Sequence, residues 1–277
     1  MVTPTQYPIM VIGGAEDKVG DCSILTNFFN SAGGKHSIIG IVPCASQEPS
    51  VVGERYRRIF AKMGSQDIRV LDIRKPRACD QTHWLELLDG CTGVFLSGGD
   101  QVRLFEFIQG STFLTTIKKR LRVGTLVLAG TSAGAAVMGE KMISGGSSGE
   151  SPNRGLVDLM DGLGIIPELL VDQHFHNRNR MARLLSAIAA NPDRLGIGID
   201  EDTCAAFNGD GTFQVIGKGS ITVIDPRELT YTNHRSSGET SPLSLHDLRV
   251  HILNDGEHYD YKRRSVCVPN LELTSKI

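Results

Sequence analysis

The sequence predicts an α/β fold in which a mostly parallel sheet carries helices on both faces. Short apolar runs recur along the first half of the chain, each run ends in a glycine or proline turn, and helix-period patterns lie between the runs. The first run, 9–12, ends at Gly13-Gly14, and the second, 37–42, ends at Pro43. The third, 93–96, opens into Ser97-Gly98-Gly99, and the fourth, 126–129, into Gly130-Thr131-Ser132. Uninterrupted apolar runs of this length suit parallel strands buried on both faces. Helical patterns at 21–31, 52–63, 83–88 and 101–122 fill the intervals. Alternating strands and helices make a sheet covered on both sides, with functional loops at the carboxyl ends of the strands.

Beyond Gly149 the order is less regular. Residues 163–175 read as extended, 178–190 as helical, and 195–199 as a strand leading into Asp200-Glu201-Asp202. From Ala205 onward, short strand-like pieces separated by turn signals such as Asn208-Gly209 and Asp210-Gly211 predict a β-rich elaboration at the sheet edge. The Ser-, Thr- and Gly-rich stretch 231–242 is the expected mobile loop. There is no repeat, low-complexity tract or linker, so 1–277 is read as one domain.

Composition narrows the function classes. Twenty-nine basic against thirty-one acidic residues give a formal charge of -2, which offers no global attraction for nucleic acid or a membrane surface. Residues 1–10 lack a basic and apolar leader pattern, and no stretch approaches the roughly 20 apolar residues of a membrane span. A cytoplasmic protein is expected. The six cysteines show no CxxC pair and no histidine at ligand spacing, so a zinc site or disulfide framework is not expected.

Gly130-Thr131-Ser132-Ala133-Gly134 follows an apolar strand and precedes Ala135-Ala136-Val137-Met138, a plausible helix start. This is the setting of a nucleophile elbow, where small neighbours tolerate a tight strand-to-helix turn and the helix start offers N–H groups to an oxyanion. A simple tight turn is the competing reading. Ser97-Gly98-Gly99-Asp100 ends the preceding strand and can face the elbow, which nominates the N–H groups of Gly99 and Ala133 as oxyanion donors.

A serine nucleophile needs a base, itself oriented by a third group. Of eight histidines, most lie in polar, surface-like segments. His174 and His176 instead fall in the dense cluster from Asp172-Gln173-His174-Phe175 to Arg178-Asn179-Arg180. Strand alternation would place both on one face and does not choose between them. Asp200-Glu201-Asp202 supplies the candidate acids, with helix capping as the plain alternative for either aspartate.

Taken together, these segments resemble the cyanophycinases, serine peptidases related to the aspartyl dipeptidases. The resemblance rests on Gly13-Gly14-Ala15-Glu16-Asp17-Lys18, Ser97 to Gln101, Gly130 to Ala136, the 172–180 cluster and Gly196 to Thr203. It implies a class I amidotransferase-like, flavodoxin-like α/β fold, with Ser132 as nucleophile, His174 as base and Glu201 as the orienting acid. It implies no metal and no organic cofactor, and suggests a homodimer. The implied substrate is cyanophycin, a poly-aspartate with arginine on each β-carboxyl, released as β-Asp-Arg dipeptides.

Each substrate repeat carries a guanidinium and a carboxylate. Gln101, Asp172 and Gln173 are the expected partners of guanidinium or amide groups, and Arg178, Arg180 and Arg183 of carboxylates. The competing reading of the arginines is a helix face with internal ion pairs. An aspartyl or isoaspartyl dipeptidase is the alternative enzyme, and an inactive binding module the alternative from another class.

Overall fold

The computed structural model describes residues 8–149 and 151–267. The first half follows the expected rhythm: β1 (Ile9–Ile12), α1 (Ser23–Ser31), β2 (Ile38–Val42), α2 (Pro49–Met63), β3 (Asp67–Val70), α3 (Thr82–Leu88), β4 (Gly93–Leu96), α4 (Gln101–Ile108), α5 (Thr112–Arg122) and β5 (Val127–Thr131). It continues through α6 (Ala133–Ala136), β6 (Lys141–Gly146), β7 (Val157–Asp161), β8 (Leu169–Gln173), α7 (Met181–Ala190), β9 (Leu195–Ile199), β10 (Thr203–Phe207), β11 (Thr212–Gly217) and β12 (Ile221–Asp225). Short strands close it: β13 (Tyr231–Thr232), β14 (Leu245–His246), β15 (Arg249–Leu253), β16 (His258–Asp260) and β17 (Ser265–Cys267).

The main sheet has nine strands in the order β17-β16-β11-β10-β1-β5-β4-β2-β3. From β1 to β3 all pairs are parallel, and from β10 outward all are antiparallel. The edge elaboration is therefore β-rich, as the turn signals predict. Along β1, Met10 and Ile12 face a core shared with Phe28 of α1 and Phe60 of α2, while Val11 faces a second core with Leu104 of α4 and Phe113 of α5. Helices thus cover both faces of the parallel half.

Two expectations are corrected, and one strand is added. The run 101–122 is two helices, because Gly110 takes a left-handed φ of 64° and Ser111 then caps α5 by accepting the Leu114 N–H at 3.0 Å. Strand β3, at the sheet edge with every residue only partly buried, has no apolar run to announce it. In 163–175 only 169–173 is strand, since the N–H groups of Leu163, Ile165 and Ile166 turn back onto the carbonyls of Val137 and Met138 after α6.

The larger departure is a second sheet of four strands, β15-β12-β9-β8, in which β8 and β9 run parallel. Leu169 and Val171 of β8 and Ile197 and Ile199 of β9 face the main sheet's core, while Leu170 and Ile224 face α7. Gly196 and Gly198 of β9 lie on that outer face, where an added Cβ would stand 3.0 Å from Ile188 and 2.5 Å from the Phe175 ring. The stretch 231–242, expected to be mobile, is tied to 152–155 by Gly155 N–H donating to Glu239 O at 2.8 Å and Arg154 Nη1 to Ser237 O at 2.9 Å. Among the described residues no helix is long and apolar enough to cross a membrane.

Candidate active site

The carboxyl ends of β1, β5, β8 and β9 converge. Ser132 follows β5 with φ 52° and ψ -107°, a conformation an L-residue holds only when its surroundings enforce it. Its N–H donates to Ile12 O at 3.0 Å, and its carbonyl accepts from Ala135 and Ala136, both at 3.0 Å. The flanking glycines allow close backbone approach: a Cβ on Gly130 would lie 2.3 Å from Gly134 O, and one on Gly134 2.5 Å from Leu96 O.

Strand β8 stops at Gln173, because His174 adopts a left-handed φ of 50°. That break overturns the expectation that alternation puts His174 and His176 on one face. The His174 N–H donates to Gly13 O at 2.8 Å and the imidazole turns inward, leaving the residue 8% exposed. His176 is exposed, and its Nε2 lies 3.2 Å from Thr222 Oγ1. His174 Nε2 lies 3.1 Å from Ser132 Oγ, and its Nδ1 lies 2.6 Å from Glu201 Oε1. A carboxylate on Nδ1 fixes the tautomer that leaves Nε2 free to accept the serine proton. Burial pushes the His174 pKa below the ordinary imidazole value; the hydrogen bond to Glu201 pulls it up, and the nearby Arg178 and Arg180 charges press it down again.

Of the three carboxylates after β9, the two aspartates hold the backbone. Asp200 accepts from His176 N–H at 2.9 Å and from Ser220 N–H at 3.0 Å. Asp202 accepts from Asp17 N–H at 2.8 Å. Neither caps one of the helices α1 to α7, although Asp200 takes the first N–H of the short 3-10 turn His176–Arg178. Glu201 is steadied by its own N–H donating to Asn177 Oδ1 at 3.0 Å, a partner within the 172–180 cluster that the sequence does not single out.

Gly98 and Gly99 come against the elbow between two anchors, Ser97 N–H on Val42 O at 3.1 Å and Asp100 N–H on Ala45 O at 2.9 Å. A Cβ on Gly98 would lie 3.3 Å from Ser132 Cβ, and one on Gly99, at φ 144°, 2.2 Å from Ala45 O. From the β4 loop it is Gly98 that lies against Ser132, with Gly99 packed on Ala45, while Ala133 follows Ser132 at the start of α6.

The residues nominated for substrate divide into two groups. Asp172, 1% exposed, takes Arg183 through both carboxylate oxygens, with Arg183 Nε at 2.8 Å, and Arg180 Nη1 at 3.3 Å. Arg183 is itself 5% exposed. Asp172, Arg180 and Arg183 thus form an internal ion network, in line with the competing reading of these charges. Arg180 also donates to the Gln173 carbonyl and stays partly exposed. Arg178 is exposed; Gln173 Oε1 lies 3.4 Å from Ser132 Oγ; and Gln101 Nε2 donates to Ser144 O at 2.7 Å, joining α4 to β6.

Two further residues bear on the site. Gly14, at φ 99°, lies against the His174 ring, and the buried Glu16 accepts the Thr131 hydroxyl at 2.6 Å. Both fall in the 13–18 motif, and nothing in the sequence distinguishes their roles from those of turn residues.

Comparison with known proteins finds relatives along most of the chain. A protein described as cyanophycinase from Trichormus variabilis is 55% identical over 268 residues, covering 96% of this chain and 90% of that protein. One from Geminocystis herdmanii is 54% identical over 254 residues, covering 92% and 93%. A crystal structure of a peptidase from an acI-B1 actinobacterium superposes with a TM-score of 0.65 at 21% identity, over 91% of this chain and 96% of that one, and so shares its fold. The model of peptidase family S51 matches residues 9–215, and the chain belongs to that family.

Proposed function

We propose that this peptidase is a serine exopeptidase that hydrolyses cyanophycin to β-Asp-Arg dipeptides. The observation that carries the reading is the hydrogen-bonded series Ser132 Oγ, His174, Glu201 Oε1, at 3.1 and 2.6 Å, on a strained elbow. The substrate is supported by relatives at 54–55% identity that bear the name cyanophycinase. Those relatives do not favour the alternative of a dipeptidase acting on small aspartyl or isoaspartyl peptides.

Ser132 Oγ attacks a backbone aspartyl carbonyl while His174 Nε2 takes its proton. Glu201 stabilises the imidazolium, and the N–H groups of Gly99 and Ala133 receive the oxyanion. His174 then protonates the leaving amine, and water hydrolyses the acyl-enzyme by the same route in reverse. Arg178 and the exposed part of Arg180 meet substrate carboxylates, with Gln101 and Gln173 beside the scissile bond. Asp172 and Arg183, spent on each other, hold that wall in place.

A cytoplasmic setting is supported by six unpaired thiols, four of them buried. A homodimer rests on the family resemblance alone. The test is incubation with purified cyanophycin and mass analysis of the soluble products, with Ser132→Ala as control. Release of β-Asp-Arg by the parent and not by the control is expected; hydrolysis of small isoaspartyl peptides with the polymer left intact would overturn the substrate assignment.

A further inference from the structure

The loop between β1 and α1 bonds to His174 and to the neighbours in sequence of Glu201 and Ser132. Gly13 O accepts from His174 N–H at 2.8 Å, and Gly14 O accepts from Asp202 N–H at 2.9 Å, next to Glu201. Toward the nucleophile the loop sends a side chain. Glu16 is 2% exposed at the carboxyl edge of the sheet, beneath the elbow. Its Oε2 accepts from Thr131 Oγ1 at 2.6 Å, and its Oε1 accepts from the Tyr56 hydroxyl and faces Lys18 Nζ at 3.1 Å. Tyr56 is buried, and burial followed by the neighbouring carboxylate raises its pKa well above the ordinary phenol value, so it remains a donor. A buried carboxylate is tolerated only when paired and fully hydrogen-bonded, and here the charge of Lys18 and two hydroxyls meet that condition.

Thr131 is 2% exposed and immediately precedes Ser132, whose backbone is held at φ 52°. Main-chain bonds hold Ser132 from the Ile12 side and from α6. On the strand side of the elbow the Thr131 hydroxyl adds a side-chain tie, and it ends on a charge-assisted acceptor, the Glu16 carboxylate. Rotation of the Thr131 backbone would swing Ser132 Oγ off His174 Nε2, and misplacement by about 1 Å can cost about 100-fold in rate.

We propose that Glu16 is a positioning residue for the hydrolytic reaction, acting through Thr131 to hold Ser132 Oγ in line with His174. The proposal rests on the reading of Ser132 as nucleophile. Glu16 moves no proton in the reaction. Its function is to make one conformation of the elbow the only one that satisfies a buried charge.

Thr131→Val keeps the side-chain shape and removes the donor, whereas Thr131→Ser keeps the donor and removes a methyl group. On cyanophycin, Thr131→Val lowers kcat by about 10- to 100-fold with KM changed less than about 3-fold, because the substrate wall is untouched. The acid limb of its pH profile stays in place, since the surroundings of His174 are unchanged. Thr131→Ser recovers most of kcat although its packing is the poorer of the two. Labelling of Ser132 by a serine-directed phosphonate falls in parallel with kcat. Glu16→Gln, which keeps shape and one acceptor, falls between the parent and Thr131→Val, and it serves as the comparison with the parent should Thr131→Val not fold. Parental kcat in folded Thr131→Val or Glu16→Gln overturns the proposal, as does a Thr131→Ser enzyme as slow as Thr131→Val, which would assign the effect to packing. Turnover in Ser132→Ala would instead overturn the serine mechanism itself, so the two failures are distinguishable.

Discussion

A Cβ placed on Gly14 would stand 2.4 Å from Cε1 and 2.5 Å from Nε2 of His174. The imidazole therefore lies where any other residue at 14 would put its side chain, and the φ of 99° at Gly14 adds a backbone conformation that L-residues rarely adopt. Gly14→Ala is expected to cost at least about 100-fold in kcat/KM by displacing the ring from Ser132 Oγ, while circular dichroism stays close to the parent. Near-parental activity in a folded Gly14→Ala enzyme would mean that the ring is not confined there.

Ser132→Ala should leave a folded protein that still binds the polymer, with turnover down by several powers of ten on the order seen when a triad member is removed. His174→Ala should match it. His176→Ala should lose far less, because that ring is exposed and bonded to Thr222. A steady-state comparison of the three variants decides the assignment, and the reverse ranking of the two histidines would refute it.

Only neutral His174 can accept the serine proton, so kcat/KM should rise with pH as the ring deprotonates. Burial depresses its pKa, which places the rising limb on the acid side of the ordinary imidazole value. The same depression means that the folded protein binds this proton less readily than the unfolded chain. His174 therefore costs stability as pH falls from the ordinary imidazole value through the folded one, and costs none above it. A profile that is flat from acidic to neutral pH would contradict the role.

Arg183 and Arg178 should fail differently. Removing Arg183 leaves Asp172 as a buried carboxylate held by the Gln173 N–H at 2.9 Å and by Arg180 at 3.3 Å, and Arg183→Ala is expected to lose about 3–5 kcal/mol of stability, read as a lower Tm. Even Arg183→Lys gives up the two-point grip. Arg178→Ala should keep the parental Tm and lower kcat/KM for the polymer. Equal Tm values for the Arg183→Ala and Arg178→Ala variants would show that the buried network is not structural.

Hydrolysis should survive EDTA, since every step of the proposed reaction uses the chain's own groups. Among the described residues no cluster of three or more His, Cys, Asp or Glu is placed to hold a metal ion. Activity lost on chelation and restored by added zinc or magnesium would require another mechanism.

What the sequence determined by itself is whatever is encoded locally. Buried parallel strands need unbroken apolar runs, so β1, β2, β4 and β5 are legible to within a residue or two; the elbow is legible because tight backbone approach demands Gly130 and Gly134 around Ser132. The 172–180 cluster and the 200–202 carboxylates also stand out, but choosing His174 and Glu201 within them required the family resemblance. The physical reason lies in the tertiary structure. A left-handed turn at His174 cancels strand alternation, and Asp200 and Asp202 are consumed by backbone N–H groups from segments remote in sequence. The second sheet, the burial of Arg183 on Asp172 and the seat of Glu16 beneath Thr131 were likewise decided there. Each depends on which distant segment covers a polar group, and a charge written in the sequence reads the same whether it meets solvent, substrate or a buried partner.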